Sequence, residues 1–305
     1  MPFVSISQLI RDLSMEVIYF PERKTINIKS GEVNRPGLQL TGFYKHFPYE
    51  RVQIIGKVEW IYFQALDAAL RKERADKLLS YPIPCLIFTR DLEIFDEFID
   101  AAYRYGSPLL RTQESTTKFV SRIINYLNDR LAPVITRHGV LVEVYGIGIL
   151  ITGESGIGKS ETALELVKRG HRLVADDAVE IKKRDDHTLL GSAPKAIRYF
   201  MEIRGLGILD IVKLYGTGAV RDTKVIDMVV ELENWDETKK YDRLGLEEDY
   251  INILGNKVNK IVIPIKPGRN LAVLIEVAAK NYRQKKMGFY AAEELEDRIM
   301  QKMHE

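Results

Sequence analysis

The chain contains the stretch Gly153-Glu154-Ser155-Gly156-Ile157-Gly158-Lys159-Ser160. It reads G-x-x-x-x-G-K-S, and the sequence on both sides of it decides the predicted fold of the second half of the chain. The apolar run 148–152 before it predicts a buried strand, and 161–168 after it has the composition and apolar spacing of a helix. A strand, a glycine-rich loop and a helix in this order form the context of a phosphate-binding loop.

The chemistry of such a loop follows from its backbone. Glycines let successive N–H groups point inward, and the N-terminus of the following helix adds its positive dipole end, so the loop can hold an anion. Lys159 can reach the β- and γ-phosphates of a nucleotide, and the Ser160 hydroxyl can hold Mg²⁺. A glycine-rich turn that binds nothing is the alternative, and the flanking strand and helix argue against it. We expect this chain to bind a nucleoside triphosphate.

Composition limits the other functions. The 305 residues include 46% hydrophobic and 29% charged residues with a net charge of +2, which is typical of a soluble globular protein and argues against nucleic-acid binding through a broad basic surface. Cys85 is the only cysteine, so no disulfide framework is expected and a reducing cytoplasm fits. The N-terminus does not resemble a signal peptide, and no apolar stretch is long enough to span a membrane.

The chain is expected to form two domains, both of the α/β class. Residues 1–131 read as a small α/β sheet domain of unknown role, including a helix at 59–70, with no phosphate loop, metal spacing or nucleophile–base pattern; a structural or interaction domain is the plain interpretation. Residues 132–305 begin after a predicted helix that ends before Pro133 and contain the loop, ending in a charged C-terminal helix. A strand at 138–145 would form an antiparallel hairpin with 148–152 across a short turn.

Two adjacent carboxylates follow the next predicted strand. Asp176 and Asp177 come directly after 173–175, and side chains of successive strand residues point to opposite faces. One carboxylate can therefore face a metal ion while the other takes a proton from an attacking hydroxyl. A solvated Asp-Asp turn is the alternative interpretation.

Further candidates are weaker by residue type alone. Glu202 can offer an oxygen to Mg²⁺ and Arg204 can face phosphate oxygens, although a surface ion pair explains both equally well. Arg243 follows a predicted strand at 225–232 and could neutralise a transferring phosphoryl group, against the alternative of a solvated surface arginine. The segment 261–270 predicts a strand that ends in a Pro-Gly turn, and 271–282 predicts a helix that is buried nearly all round.

Together these segments resemble the bifunctional HPr kinase/phosphorylase family. The resemblance extends along the whole chain, and it rests on 34–40, 47–51, 138–142, the loop with 160–163, 175–177, 201–210 and 267–273. Lys266 stands where the family pattern has an arginine, and a lysine cannot fork onto two oxygens as an arginine does. Members of the family phosphorylate a serine of the phosphocarrier protein HPr and also remove that phosphate with inorganic phosphate, which releases pyrophosphate.

The resemblance implies a role for each matching residue. Lys159 and Ser160 would bind the triphosphate and Mg²⁺, Glu202 would complete the metal site, and Asp177, assisted by Asp176, would be the base toward the serine. His138 and Arg243 match active-site positions. The residues that would line the site for dephosphorylation are Arg204, Pro264, Lys266, Pro267, Gly268 and Arg269.

The resemblance also implies properties of the whole protein. They are a nucleotide site like that of phosphoenolpyruvate carboxykinase, ATP or pyrophosphate as the phosphoryl donor, a cytoplasmic homohexamer, stimulation by fructose 1,6-bisphosphate, and regulation of carbon metabolism by catabolite repression. Two other functional classes fit the loop without the resemblance. One is a kinase for small molecules, and the other is a nucleotide-dependent switch whose first domain carries the output; the aspartate pair argues against the switch, because a sensor needs no base.

Overall fold

The computed structural model describes residues 2–22, 25–185, 187–239, 249–266 and 268–303. The chain has a two-domain α/β architecture, with two compact units that divide between Ala132 and Pro133. No helix within these described ranges is long and apolar enough to cross a membrane.

The first unit is built around a mixed five-stranded sheet. The strands of this unit are Val4–Ser5 (β1), Glu16–Tyr19 (β2), Asn27–Ile28 (β3), Val33–Asn34 (β4), Val52–Ile55 (β5), Leu86–Phe88 (β6) and Leu109–Arg111 (β7), of which β1 and β3 form a separate two-stranded sheet. Its helices are Ile6–Leu13 (α1), Gly37–Leu40 (α2), Lys57–Gln64 (α3), Ala68–Leu79 (α4), Asp96–Tyr105 (α5) and Thr116–Leu131 (α6). The sheet order is β2-β7-β6-β5-β4, in which only β2 runs antiparallel to its neighbour.

Apolar side chains on the two faces of this sheet form separate clusters, because parallel strands need helical crossovers that cover both faces. One cluster contains Phe119 of α6, and the other contains Phe63 and Phe98.

The prediction of a single helix at 59–70 is wrong. Helix α3 ends at Gln64, and a second helix, α4, begins after Asp67, whose side chain accepts the Leu70 N–H at 2.8 Å as its N-cap.

The second unit carries more strands. They are Val134–His138 (β8), Val140–Val144 (β9), Ile147–Gly153 (β10), Arg172–Ala175 (β11), Ala178–Lys183 (β12), Leu189–Ser192 (β13), Phe200–Ile203 (β14), Gly207–Asp210 (β15), Thr223–Val225 (β16), Met228–Asn234 (β17), Asp249–Ile253 (β18) and Asn256–Ile265 (β19). The helices are Lys159–Lys168 (α7), Ile211–Tyr215 (α8), Leu271–Lys286 (α9) and Ala291–Met303 (α10), with 3₁₀ turns at Lys195–Ile197 and Thr217–Ala219.

The main sheet of this unit has the order β11-β9-β10-β17-β19-β18. The predicted hairpin is confirmed: β9 and β10 are antiparallel, and the two residues between them, Tyr145 and Gly146, have φ of 51° and 83°, as a two-residue type I′ turn requires. On its other side β10 pairs in parallel with β17, which pairs in parallel with β19. The carboxyl ends of these three strands therefore lie at one edge of the sheet.

Two predicted strands break where the chain changes sheet. The strand expected at 138–145 is split at Gly139, because β8 pairs with β12 in a four-stranded sheet whereas β9 belongs to the main sheet. A side chain at Gly139 would approach the Ile151 carbonyl oxygen to 2.7 Å. The strand expected at 225–232 is split in the same way at Asp227, whose Oδ2 accepts the Gly148 N–H at 2.8 Å.

Helix α9 lies against the main sheet on one side only. Ala272, Ile275 and Ala279 are buried, whereas Val273 and Val277 are 38% and 58% exposed. The expectation of a helix buried all round is therefore wrong. Apolar composition alone did not show which side of the helix faces the core.

Candidate active site

The glycine-rich loop connects the end of β10 to the start of α7. Gly153, Gly156 and Gly158 have φ of 138°, 82° and 97°, a region in which a side chain is strained. A methyl group on Gly153 would also overlap the Leu232 carbonyl oxygen of the neighbouring strand. Helix α7 begins at Lys159, directly after Gly158, so its N-terminus faces the loop. The predicted strand and helix on either side of the loop are confirmed.

Lys159 lies across the loop. Its ammonium donates to the carbonyl oxygens of Gly153 and Glu154 at 3.0 and 2.8 Å, and the residue is only 6% exposed. Burial lowers the pKa of Lys159, and the nearby carboxylates of Asp176 and Asp177 oppose that shift. The loop therefore holds a desolvated cation at its centre, where an anionic ligand would stabilise the charge.

Asp176 faces the loop. The residue is 4% exposed; its Oδ1 accepts the Ser160 hydroxyl at 2.8 Å, and its Oδ2 accepts the Glu202 N–H at 3.1 Å. Burial raises the pKa of Asp176, and these two hydrogen bonds oppose the shift because they favour the charged form. Asp176 thus ties the first turn of α7 to strand β14.

Asp177 faces the opposite way. It has φ of 67°, and its side chain is 68% exposed, with Oδ1 lying 3.0 Å from Nδ1 of His138. The Gly139 N–H donates to the Asp177 carbonyl oxygen at 3.0 Å, which fixes the end of β8 beside this turn. The structure therefore directs the two neighbouring carboxylates to two different environments, one buried against the loop and one open to solvent.

The hairpin of β14 and β15 brings Glu202 and Arg204 to the same site. Arg204 donates from Nη2 to the Ser155 hydroxyl at 3.1 Å, and its guanidinium fills the space in which a side chain of Gly156 would lie. Glu202 is exposed, and within the described ranges its carboxylate has no hydrogen bond or ion pair. Arg204 thus contacts the loop directly, while Glu202 has an available carboxylate.

The oxygen atoms at this site suit Mg²⁺ by their chemistry. Ser160, Asp176 and Glu202 supply a hydroxyl and two carboxylates, linked by the two hydrogen bonds of Asp176. Among the described residues there is no group of three or more His, Cys, Asp and Glu side chains that could enclose a metal ion. Such an open set fits Mg²⁺, which in nucleotide sites takes one or two carboxylates together with phosphates and water.

The end of β19 lies at the same edge of the sheet as the loop. Pro264 and Ile265 are the last residues of β19, and Arg269 donates from Nη1 to the Pro264 carbonyl oxygen at 3.2 Å. Gly268 has φ of 87°. Two of the predicted site residues, Arg243 and Pro267, lie outside the described residues.

Two residues at this edge did not emerge from the sequence. Asn234 donates from Nδ2 to Oε2 of Glu154 in the loop at 3.4 Å, and the Lys266 ammonium lies 3.4 Å from the centre of the Trp235 ring. Asn234 is the last residue of β17 and Trp235 follows it, and β17 pairs directly with the loop strand. Their signal in the sequence is their position at the end of a strand that is parallel to the loop strand, but that pairing is visible only in the fold.

Comparisons with known proteins match both units. Residues 4–127 match the family model for the HPr Serine kinase N terminus, and residues 129–299 match that for the HPr Serine kinase C-terminal domain. The HPr kinase/phosphorylase of Caldanaerobacter subterraneus subsp. tengcongensis is 60% identical over 300 residues, covering 98% of each chain. That of Alkaliphilus metalliredigens is 53% identical over 305 residues, and that of Bacillus cereus is 49% identical over 300 residues. These alignments cover 100% and 98% of this chain, and 99% and 97% of those relatives.

A solved structure is also similar. The HPr(Ser) kinase/phosphatase from Coxiella burnetii is 37% identical, with a TM-score of 0.47, and the match covers 50% of this chain and 99% of that one. The two family models and the near full-length relatives show, independently of that structure, that this chain belongs to the HPr serine kinase family.

Proposed function

We propose that this protein is a protein-serine kinase and phosphorylase. It transfers a phosphoryl group from ATP, or from pyrophosphate, to a serine of HPr, and it removes that group again by phosphorolysis. Family membership supports the identity of the substrate. One observation supports the chemistry: the side chains of Asp176 and Asp177 face different surroundings. The Asp176 carboxylate is buried at the nucleotide loop, and the exposed Asp177 carboxylate can reach an acceptor.

The loop binds the phosphates in this proposal. Its N–H groups and the N-terminus of α7 attract the anion, and the desolvated Lys159 ammonium neutralises the β- and γ-phosphates. Ser160 and Glu202 would hold Mg²⁺, with Asp176 orienting the Ser160 hydroxyl. When bound, Mg²⁺ supplies positive charge that stabilises the developing negative charge on the phosphate oxygens.

Asp177 acts as the base in the kinase direction. Its carboxylate accepts the proton of the serine hydroxyl as the serine oxygen bonds to the γ-phosphorus, and the bond from that phosphorus to the β-phosphate oxygen breaks. His138, 3.0 Å from the carboxylate, holds Asp177 in place. Arg243 would neutralise charge on the transferring group.

The phosphorylase direction uses the same groups in reverse. An oxygen of inorganic phosphate bonds to the phosphorus of phosphoserine, the bond from that phosphorus to the serine oxygen breaks, and Asp177 returns a proton to that oxygen. The product is pyrophosphate, which occupies the loop as two phosphates of ATP would. The lining for this direction consists of Arg204, Pro264, Lys266, Pro267, Gly268 and Arg269.

The remaining properties are proposals that rest on the family resemblance. Residues 1–131 and 132–305 would be the two functional domains, and the loop on a hairpin supports a nucleotide site like that of phosphoenolpyruvate carboxykinase. The protein would act in the cytoplasm as a homohexamer stimulated by a sugar bisphosphate such as fructose 1,6-bisphosphate. Through the phosphorylation state of HPr it would regulate carbon metabolism.

A two-stage assay tests the proposal. The purified protein is incubated with HPr, Mg²⁺ and γ-labelled ATP, and the product is then chased with inorganic phosphate. We expect label on a serine of HPr, followed by its release as pyrophosphate. Label that enters only small metabolites would identify a small-molecule kinase, and ATP binding without any transfer would identify a nucleotide switch; either result overturns the proposal.

Lys159→Ala provides the shared-site control. Because one loop serves both directions, this variant should lose HPr phosphorylation and phosphorolysis together. Loss of one direction alone would contradict a shared site.

A further inference from the structure

Trp235 lies at the edge of the sheet where the loop begins. It follows β17 directly. Its backbone N–H donates to the carbonyl oxygen of Ile265, the last residue of β19, at 3.3 Å. In the same sheet Leu232 of β17 pairs with Gly153, the last residue of the loop strand. The backbone of Trp235 is therefore fixed between the ends of the loop strand and of β19.

The ring of Trp235 supports a cation. The Lys266 ammonium lies 3.4 Å from the ring centre, within the range of a cation–π interaction, and tryptophan is the most favourable ring for that interaction. Within the part of the chain that the structure describes, this ammonium has no hydrogen bond or ion pair. The π face is thus the contact that places the charge of Lys266.

The same strand end contacts the phosphate loop. Asn234, the neighbour of Trp235, donates to the Glu154 carboxylate at 3.4 Å, and the Glu154 carbonyl oxygen accepts from the Lys159 ammonium at 2.8 Å. Strands β10 and β19 are separated by one strand, which corresponds to about 10 Å at ~4.8 Å per strand. The charge of Lys266 therefore lies at the same edge as the loop and is displaced sideways from it.

We propose that Trp235 is a positioning residue for phosphorolysis. Its ring holds the Lys266 ammonium beside the loop, where that ammonium binds the incoming inorganic phosphate. An arginine could orient itself on a phosphate through its planar fork, whereas a lysine is a flexible point charge that needs an external support. Trp235 supplies that support in a chain that has lysine at this position. The inference rests on the proposed function, because it assigns the phosphate site of the phosphorylase direction.

A double-mutant cycle tests the proposal. Trp235→Leu, Lys266→Met and the double variant are compared with the wild type by the KM for inorganic phosphate in the phosphorolysis of phosphorylated HPr. We expect Trp235→Leu to raise this KM about 2- to 30-fold, the range of one cation–π contact, and to leave the KM for ATP unchanged. When Lys266 is already replaced by Met, adding Trp235→Leu should change the KM for inorganic phosphate little further.

The conservative variant separates positioning from folding. Trp235→Phe keeps an aromatic face, so it should retain most of the phosphate affinity that Trp235→Leu loses, while both variants should bind ATP as the wild type does. An unchanged KM for phosphate in Trp235→Leu, or equal effects of Trp235→Leu with and without Lys266, overturns the proposal. If Trp235→Leu fails to fold, the KM for inorganic phosphate is compared between Trp235→Phe and Lys266→Met. It should stay near the wild-type value in Trp235→Phe and rise in Lys266→Met, and equal values overturn the proposal.

Fluorescence gives a readout that does not need turnover. The chain has 2 tryptophans, so Trp60→Phe leaves Trp235 as the single emitter. Inorganic phosphate should change its emission, and Lys266→Met in that background should abolish the change; a response that persists without Lys266 contradicts the proposal. A wild type that neither phosphorylates nor dephosphorylates HPr would disprove the proposed function. The fluorescence measurement would still show whether phosphate binding beside Trp235 requires Lys266.

Discussion

Asp176 and Asp177 show how far two identical neighbouring side chains can diverge. Both lie in the bend between β11 and β12, and the left-handed backbone at Asp177 leaves that side chain exposed beside His138. Asp176 is instead desolvated and holds the Ser160 hydroxyl. In the proposed reaction these different surroundings favour different roles: the buried carboxylate would orient a metal ligand, and the exposed one would take the proton of the acceptor.

Asp177→Asn should remove the base and leave the loop intact. We expect phosphorylation of HPr and phosphorolysis to fall by roughly 10²- to 10⁴-fold, the usual contribution of general base catalysis, with unchanged ATP affinity. Steady-state rates in both directions and a nucleotide titration measure this. Asp100→Asn, an exposed aspartate of the first unit, is the control and should keep full activity. Full transfer by Asp177→Asn would disprove the assignment of the base.

Asp176→Asn should change the pH dependence of stability. Burial raises the pKa of Asp176 in the folded state. Its contribution to stability is therefore complete below the unfolded pKa of about 3.9 and is lost as pH rises through the folded pKa. The variant cannot ionise, so without ligand it should melt at a higher temperature than the wild type near pH 7, and the difference should shrink toward pH 4.

Thermal unfolding of both proteins between pH 4 and pH 8 measures this effect. When Mg²⁺ and ATP are added near neutral pH, the wild type should instead melt at a higher temperature than Asp176→Asn. The reason is that the charged Asp176 orients a metal ligand that the amide orients less well. A melting difference that is constant across the pH range would show that the titration of Asp176 does not control it.

At the scale of elements, the loop depends on its contact with the strand beside it. Gly153→Ala places a methyl group against the Leu232 carbonyl oxygen, and the strained backbone adds to that conflict. Gly170→Ala is a matched control, since Gly170 also has positive φ, 91°, but has no atom within 4 Å of the added methyl group. Both variants should lose roughly 1 kcal/mol or more of stability, and only Gly153→Ala should lose ATP binding.

Isothermal titration with ATP and thermal unfolding distinguish these two effects. Equal ATP affinity in the two variants would show that the loop does not need its close approach to β17. A loss of binding in both would point to global destabilisation.

At the scale of the whole molecule, the two units have separate cores. The buried clusters of the first unit lie within residues 4–127, and those of the second lie within residues 140–279. Because the second unit has buried clusters of its own, we expect a fragment of residues 133–305 to fold with one cooperative transition and to bind ATP within about threefold of the full chain. Calorimetry and a nucleotide titration measure this, and a fragment that is unfolded or fails to bind would contradict it.

Local pattern predicted the elements that carry their own signals. The hairpin before the loop and the helix after it were confirmed because short apolar runs, a two-residue turn and helical spacing are encoded within a few positions. The predicted strands at 138–145 and 225–232 were wrong because the chain passes between two sheets at Gly139 and Asp227 without losing its apolar character. Periodicity does not record which sheet a strand joins.

The sequence by itself determined the loop, its strand and helix, and the family, since each depends on residue types at fixed spacing. Only the tertiary structure decided that Asp176 faces Ser160 while Asp177 faces His138, and that Trp235 lies beneath Lys266. These pairs are 16, 39 and 31 residues apart, as the residue numbers show. Contacts at such separations arise from the pairing of strands into sheets, a long-range interaction that leaves no local pattern in the chain.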